Sequence, residues 1–211
     1  INKNKEKYDS HLEECDLVVK ELLDSLKELK LDKKTILIFT SDHGTSCGEK
    51  IGEKSYGTFL YDYTLKVFCI IHIPNENGKI IKNLCSSLDL FPTIAELANV
   101  PIQNESIRIQ GKNLLSFVND IETVDRDIFV ETGGLYGPWP SPEKHNVFCI
   151  RNKEKKLIYN DTPQTWEFYD LKNDPNELNN IYDENLEEIC IFKDKLVTHF
   201  QENNIKTHLT F

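Results

Sequence analysis

Leu12, Cys15, Val19, Leu22, Leu23, Leu26 and Leu29 recur three and four residues apart, with charged residues between them. That period draws one apolar stripe along a helix and predicts an amphipathic helix over residues 8–30. After the short connection Leu31-Asp-Lys-Lys34, residues 35–40 read Thr-Ile-Leu-Ile-Phe-Thr with no alternation. A short run that is apolar throughout is the pattern of a strand covered on both faces, as in a parallel sheet. Residues 67–73 form a second such run, stopped by Pro74 and the turn Asn75-Glu-Asn-Gly78. Between the two strands, residues 44–60 carry Gly44, Gly48, Gly52 and Gly57 among small and charged residues. A connection of that length in a compact domain is commonly functional. Further on, Asp89 is placed to cap a helix with Phe91, Ile94, Leu97 and Ala98 on one face, and a short helix is expected over 113–118. Pro92 falls in the first turn, where its missing N–H costs nothing.

The rhythm changes near residue 125. Ile128–Glu131, Val147–Arg151, Lys156–Tyr159 and Trp166–Tyr169 are short runs separated by turn residues, which predicts a small antiparallel sheet. Gly133–Pro142, rich in Gly and Pro and holding Tyr136 and Trp139, reads as an ordered loop. The last segment, about 184–202, places Leu186, Ile189, Phe192, Leu196 and Phe200 on one helical face. The expectation is an α/β protein: a mainly parallel sheet flanked by helices over 1–124, then a small antiparallel sheet packed by a terminal helix over 125–211.

Composition narrows the function. The 211 residues are 39% hydrophobic and 28% charged, which fits a globular chain with a real core. A formal net charge of -10 argues against a nucleic-acid binder, which needs a basic face. No run approaches the roughly 20 apolar residues of a membrane span. The charged N-terminus Ile1-Asn-Lys-Asn-Lys-Glu-Lys7 is no signal peptide, and with no Met in the sequence the chain is expected to be part of something longer. The six cysteines make no C-x-x-C pair and read mostly as buried free thiols, a usage that fits a cytoplasmic protein.

The chemistry concentrates at Asp42-His43-Gly44, where the first strand gives way to the loop. Loops at the carboxyl ends of strands are where open α/β sheets place their sites. A carboxylate and an imidazole side by side can share one divalent cation; the plain alternative is a strand-end turn. His72, in the second strand, reads as a core or rim histidine, His11 as a surface residue, and His145 as a loop histidine that can line a pocket. The Asp- and Asn-rich run from Asp170 to Glu177 lacks the order of a calcium loop and reads as a turn.

In order and spacing the chain resembles the C-terminal half of a sulfatase, a branch of the alkaline-phosphatase-like hydrolases. The segments that carry the likeness are Thr35-Ile-Leu-Ile-Phe-Thr-Ser-Asp-His-Gly44, Leu60-Tyr-Asp-Tyr-Thr-Leu-Lys-Val67, Ser87-Leu-Asp-Leu-Phe-Pro-Thr-Ile-Ala-Glu-Leu-Ala98, and Lys156-Leu-Ile-Tyr159 with Trp166-Glu-Phe-Tyr-Asp-Leu-Lys-Asn-Asp-Pro-Asn-Glu177. The resemblance implies that Asp42 and His43 are ligands of a divalent metal, calcium by family. Mn²⁺ or Zn²⁺ also suits a His with carboxylates, and a calcium shell of six to eight oxygens needs further ligands. It implies a sulfate ester as small-molecule substrate, contacted by a basic residue after the metal pair, for which Lys54 is the candidate and Lys50 the other possibility. It also implies a formylglycine nucleophile, made from Cys or Ser in a C/S-x-P-S/A-R motif. No cysteine or serine here stands in that motif. The nucleophile and the other metal carboxylates are therefore expected in a missing N-terminal half, and this chain alone is expected to be inactive. The alternatives are a phosphodiesterase or phosphonate monoester hydrolase of the same superfamily, or a non-catalytic sulfatase-like binding module.

Overall fold

The computed structural model of the chain describes residues 2–50, 56–102, 108–118, 126–136, 144–183 and 186–209. Two compact units form: residues 1–78 with 131–147 and 160–163, and residues 79–130 with 148–159 and 164–211.

The first unit opens with helix α1 (Asn2–Glu28), which starts earlier than its apolar stripe because no Gly or Pro interrupts the preceding residues. It ends in a left-handed Lys30, φ 55°, with Lys30 N–H donating to Lys27 O and Leu31 N–H to Leu26 O, the paired bonds of a Schellman stop. Strands β1 (Leu37–Thr40) and β2 (Cys69–His72) follow, with Leu37 opposite His72 and Thr40 opposite Cys69. They run antiparallel, so the expected mainly parallel sheet is not what these strands make. An apolar run reports burial and carries no information on strand direction; here Ile70 and His72 are exposed. The middle of this unit is Phe59-Leu60-Tyr61, buried together with Thr64 of the short helix α2 (Asp62–Leu65).

The second unit has two centres. In one, Ser86 caps a 3₁₀ turn (Ser87–Asp89) that runs into helix α3 (Leu90–Leu97). Ser86 is thus the cap expected of Asp89, whose carboxylate instead reaches back to the Ser86 N–H at 2.7 Å, closing a capping box. Asp89 is fully buried and also accepts from Lys112 N–H at 2.8 Å and from both terminal nitrogens of Arg126. One turn on, Thr93 Oγ1 donates to Asp89 O at 2.6 Å and accepts from Leu114 N–H at 2.8 Å. Gly111 lies so close that a Cβ there would meet Leu88 O at 2.0 Å. The polar face of α3 therefore points inward, toward residues 111–114 and the start of helix α4 (Leu115–Val118). The apolar face expected to be buried is open: Phe91 is 60% exposed, and Leu88 and Ile94 are exposed as well.

The other centre is formed with the four-stranded antiparallel sheet, β3 (Ile128–Tyr136), β4 (Lys144–Arg151), β5 (Lys155–Asn160) and β6 (Thr165–Asp170), each strand beside the next in sequence. Helix α5 (Glu187–Asn203) lays Ile189, Phe192, Leu196 and Phe200 into a core with Phe148, Ile150, Leu157, Tyr159 and Phe168. Burying each such side chain is worth about 1.5–3 kcal/mol relative to leaving it in water. This sheet and its terminal helix follow the sequence pattern, with one difference. β3 runs on to Tyr136, so Gly133 belongs to a strand and not to a loop. Asn146 Oδ1 would lie 2.3 Å from a Cβ at Gly133, which is why a glycine sits there. The rest of the predicted loop, residues 137–143, lies outside the described residues.

Beyond β6 the acidic run is a turn. Asp174 accepts from Leu178 N–H and Asn179 N–H, and Glu177, at φ 55°, sends its carboxylate inward to Lys156 Nζ at 2.7 Å. Both side chains of that pair are buried.

Candidate metal centre

β1 ends at Thr40, and the chain turns at Asp42. The Asp42 carboxylate receives the His43 N–H on Oδ1 at 2.9 Å, which fixes one of its two oxygens. His43 Nδ1 lies 2.7 Å from Gly44 O. A carbonyl only accepts, so Nδ1 carries the hydrogen of that bond and, in the neutral ring, Nε2 holds the free lone pair. Nε2 stands 3.6 Å from Asp42 Oδ2, with the Asp42 side chain 87% and the His43 side chain 36% exposed. Two acceptors thus face each other across a short gap on an accessible edge, an arrangement that a shared cation or proton relieves. Donors 3.6 Å apart fit two ligands of one divalent ion, at about 2.0–2.6 Å each. The pair fits a metal as neighbouring ligands and supplies only part of a shell. Among the described residues no group of three or more His, Cys, Asp or Glu is assembled for a metal.

The turn is seated from beneath. Gly44 N–H donates to Thr64 O at 2.7 Å, and a Cβ at Gly44 would lie 2.2 Å from Tyr63 O. No side chain fits there, so the glycine follows from the close approach of helix α2. Thr64 in turn donates its hydroxyl to Tyr61 O at 3.0 Å. The Leu60-Tyr-Asp-Tyr-Thr64 segment, buried at Leu60, Tyr61 and Thr64, is therefore the floor under Asp42 and His43.

Residues 46–49 are tightly tied. Glu49 accepts from Cys47 N–H at 2.6 Å and from Ser46 Oγ at 3.1 Å, and Gly48 turns at φ 108°. Burial, reinforced by the Glu49 carboxylate, pushes the Cys47 thiol above its usual range, so it stays protonated at neutral pH. Lys50 holds its ammonium 4.5 Å over the Tyr61 ring. Lys54, the expected sulfate contact, lies outside the described residues. Tyr56, which the sequence pattern did not single out, stacks on His43 with ring centroids 3.8 Å apart and planes 24° apart. No period or motif marks such a contact between residues 13 positions apart. Of the other histidines, His11 is exposed beside Glu14, and His72 is exposed on β2.

Comparison with known proteins finds similar chains. Residues 53–204 match the family model described as N-sulphoglucosamine sulphohydrolase, C-terminal, and residues 2–100 match the sulfatase model. Arylsulfatase K of Homo sapiens is 28% identical over 177 residues, covering 80% of this chain and 31% of the relative. N-acetylglucosamine-6-O-sulfatase of Bacteroides thetaiotaomicron is 30% identical over 168 residues, covering 76% of this chain and 29% of the relative. The chain thus spans about 30% of the length of these curated relatives. Among solved structures, a protein bound to its substrate D-glucosamine-2-N,6-O-disulfate superposes with a TM-score of 0.62 at 24% identity, covering 88% of this chain and 37% of the other. A phosphonate monoester hydrolase from Silicibacter pomeroyi superposes with a TM-score of 0.71 at 20% identity, covering 92% and 39%; at that identity the likeness is one of fold.

Proposed function

The chain belongs to the sulfatase family, and from that premise we propose that it is the C-terminal part of a metal-dependent sulfuric ester hydrolase. In this reading Asp42 Oδ2 and His43 Nε2 are two ligands of a divalent metal, Ca²⁺ by family. The remaining carboxylate ligands and the formylglycine nucleophile come from the rest of the polypeptide. The observation that carries it is the facing pair of acceptors at 3.6 Å, with the His43 tautomer set by Gly44 O. When bound, the ion supplies Lewis-acid polarisation of a sulfate oxygen. The residues of this chain hold their donors for it: Gly44 and Thr64 seat the turn, and Gly44 O keeps the Nε2 lone pair free. Lys54 is proposed to meet the sulfate, where its charge offsets that of the ester.

The outward apolar surface supports a part that fits against more chain. Leu12, Leu22, Phe68 and Ile70 in the first unit, and Leu88, Phe91 and Ile94 in the second, are large apolar side chains left exposed. The larger, mainly parallel sheet expected from the sequence is proposed to form when further strands join β1 and β2. The substrate class is a sulfate ester, and the sulfated hexosamines named for relatives are the first compounds to try.

The test uses the full-length polypeptide. Asp42→Ala should lower bound metal by about one ion per chain and abolish release of sulfate from an aryl or sugar sulfate. Unchanged metal content and turnover would refute the assignment. If the unmodified protein cleaves a phosphonate ester and leaves aryl sulfates intact, the same centre serves the related phosphonate chemistry instead.

A further inference from the structure

We propose that Tyr56 is a positioning residue for His43, holding the imidazole plane so that Nε2 meets the same ion as Asp42 Oδ2. The inference rests on the metal role given above to Asp42 and His43. An imidazole on a surface turn has two freedoms to lose, which edge points where and how the plane is tilted. The bond from Nδ1 to Gly44 O, 2.7 Å, settles the edge. It leaves the tilt of the ring plane less well fixed, and any tilt carries the Nε2 lone pair with it. The face of Tyr56, 3.8 Å from the imidazole centroid and 24° from parallel, limits this tilt. A metal-binding histidine is ordinarily oriented by the partner of its second nitrogen; here a ring face adds the orthogonal constraint.

Tyr56 is itself held by its neighbour. Gly57 turns the chain at φ 86°, and its carbonyl accepts from Thr132 Oγ1 at 2.8 Å on strand β3. Tyr56 is 53% exposed, so about half of its surface stays in solvent. An exposed aromatic against a ligand-bearing imidazole is poorly placed for stabilising the fold and well placed for orienting the ring. The stack also covers one face of the imidazole and does not occupy the ring plane, in which the Nε2 lone pair lies.

The experiment is a Mn²⁺ titration of the full-length polypeptide, followed by the paramagnetic resonance of free Mn²⁺, beside thermal melting without metal. Tyr56→Ala should weaken Mn²⁺ binding roughly 3- to 10-fold, the size of an aromatic pair expressed as an equilibrium constant, with the melting temperature unchanged. Tyr56→Phe should retain the affinity of the unmodified protein, since the ring face acts and not the hydroxyl. Tyr56→Leu, which keeps apolar bulk without a ring, should follow alanine and provides a second variant if alanine disturbs folding. Equal affinity in all variants, with binding still abolished by Asp42→Ala, would overturn the role of Tyr56 and leave the metal site standing. Absence of any Asp42-dependent Mn²⁺ binding in the unmodified protein would overturn both. A loss in Tyr56→Phe as large as in alanine would assign the effect to the hydroxyl and refute stacking.

Discussion

Replacing Gly44 by alanine should damage the fold and the proposed metal site together. The added methyl would sit 2.2 Å from Tyr63 O and 3.1 Å from Tyr63 C, where ordinary contact begins at 3.4 Å. The obstacle is backbone of helix α2, not the tip of a flexible side chain, so the turn must retreat by roughly 1 Å. Overpacking of that kind costs about 1–3 kcal/mol. Retreat also stretches the 2.7 Å bond from Gly44 N–H to Thr64 O, worth about 0.5–1.5 kcal/mol net. The sum is a loss of about 2–4 kcal/mol in the unit that holds Asp42 and His43. Gly78 supplies the control, because a Cβ there meets nothing within 4 Å; Gly78→Ala should change stability by no more than about 0.5 kcal/mol. Urea unfolding of both variants, followed by fluorescence, measures the difference through the midpoints at constant slope. Equal midpoints for the two variants would refute the seating of the turn on helix α2.

Two further outcomes concern the second unit. Glu177→Ala removes the carboxylate that pairs with the Lys156 ammonium at 2.7 Å, both side chains being buried, and should cost about 3–5 kcal/mol. The double variant Lys156→Met with Glu177→Leu removes both charges and should recover most of that loss in the same unfolding assay; an equally large loss in the double variant would refute the asymmetry. Asp170 titrates low, at about 2, chiefly because the Asn173 side chain donates to it, with Lys155 also hydrogen-bonded and partial burial acting in the opposite sense. A carboxyl depressed in the folded state binds fewer protons there than when unfolded. Its contribution is therefore complete above the ordinary value of 3.8 and is lost as pH falls toward about 2. Stability profiles of Asp170→Asn and the unmodified chain should converge across that window, and parallel profiles would contradict it.

The helices and the antiparallel sheet were legible in the sequence because their signals are local. α5 repeats its apolar residues every three or four positions, and the strands of the sheet are single hairpin steps apart. Asp42 and His43 were legible for the same reason: neighbours in sequence at a strand end remain neighbours in space. What escaped was non-local. Asp89 looks like a helix cap from its own neighbourhood, and only Lys112 and Arg126, far along the chain, reveal it as a buried hub. The direction of β2 relative to β1 depends on the path of residues 41–68, which apolar pattern does not encode. Tyr56 reaches His43 across a glycine-rich stretch with no period at all. The segments that carry the family likeness are tied to partners in space: Gly44 sits on Thr64, Asp89 on Lys112, and Lys156 on Glu177. Their joint appearance in a sequence is the trace of those contacts.

The 3₁₀ turn and helix α3 turn their hydrogen-bonding side chains, Asp89 and Thr93, to their own unit and offer Leu88, Phe91 and Ile94 outward. In a polypeptide made from its amino terminus, a carboxy-terminal portion leaves the ribosome last. On the function proposed above, its oily ridge would emerge beside an already folded surface and be shielded during synthesis. The earlier portion would then act as a template for the later one, and the order of manufacture would help the polypeptide avoid aggregation.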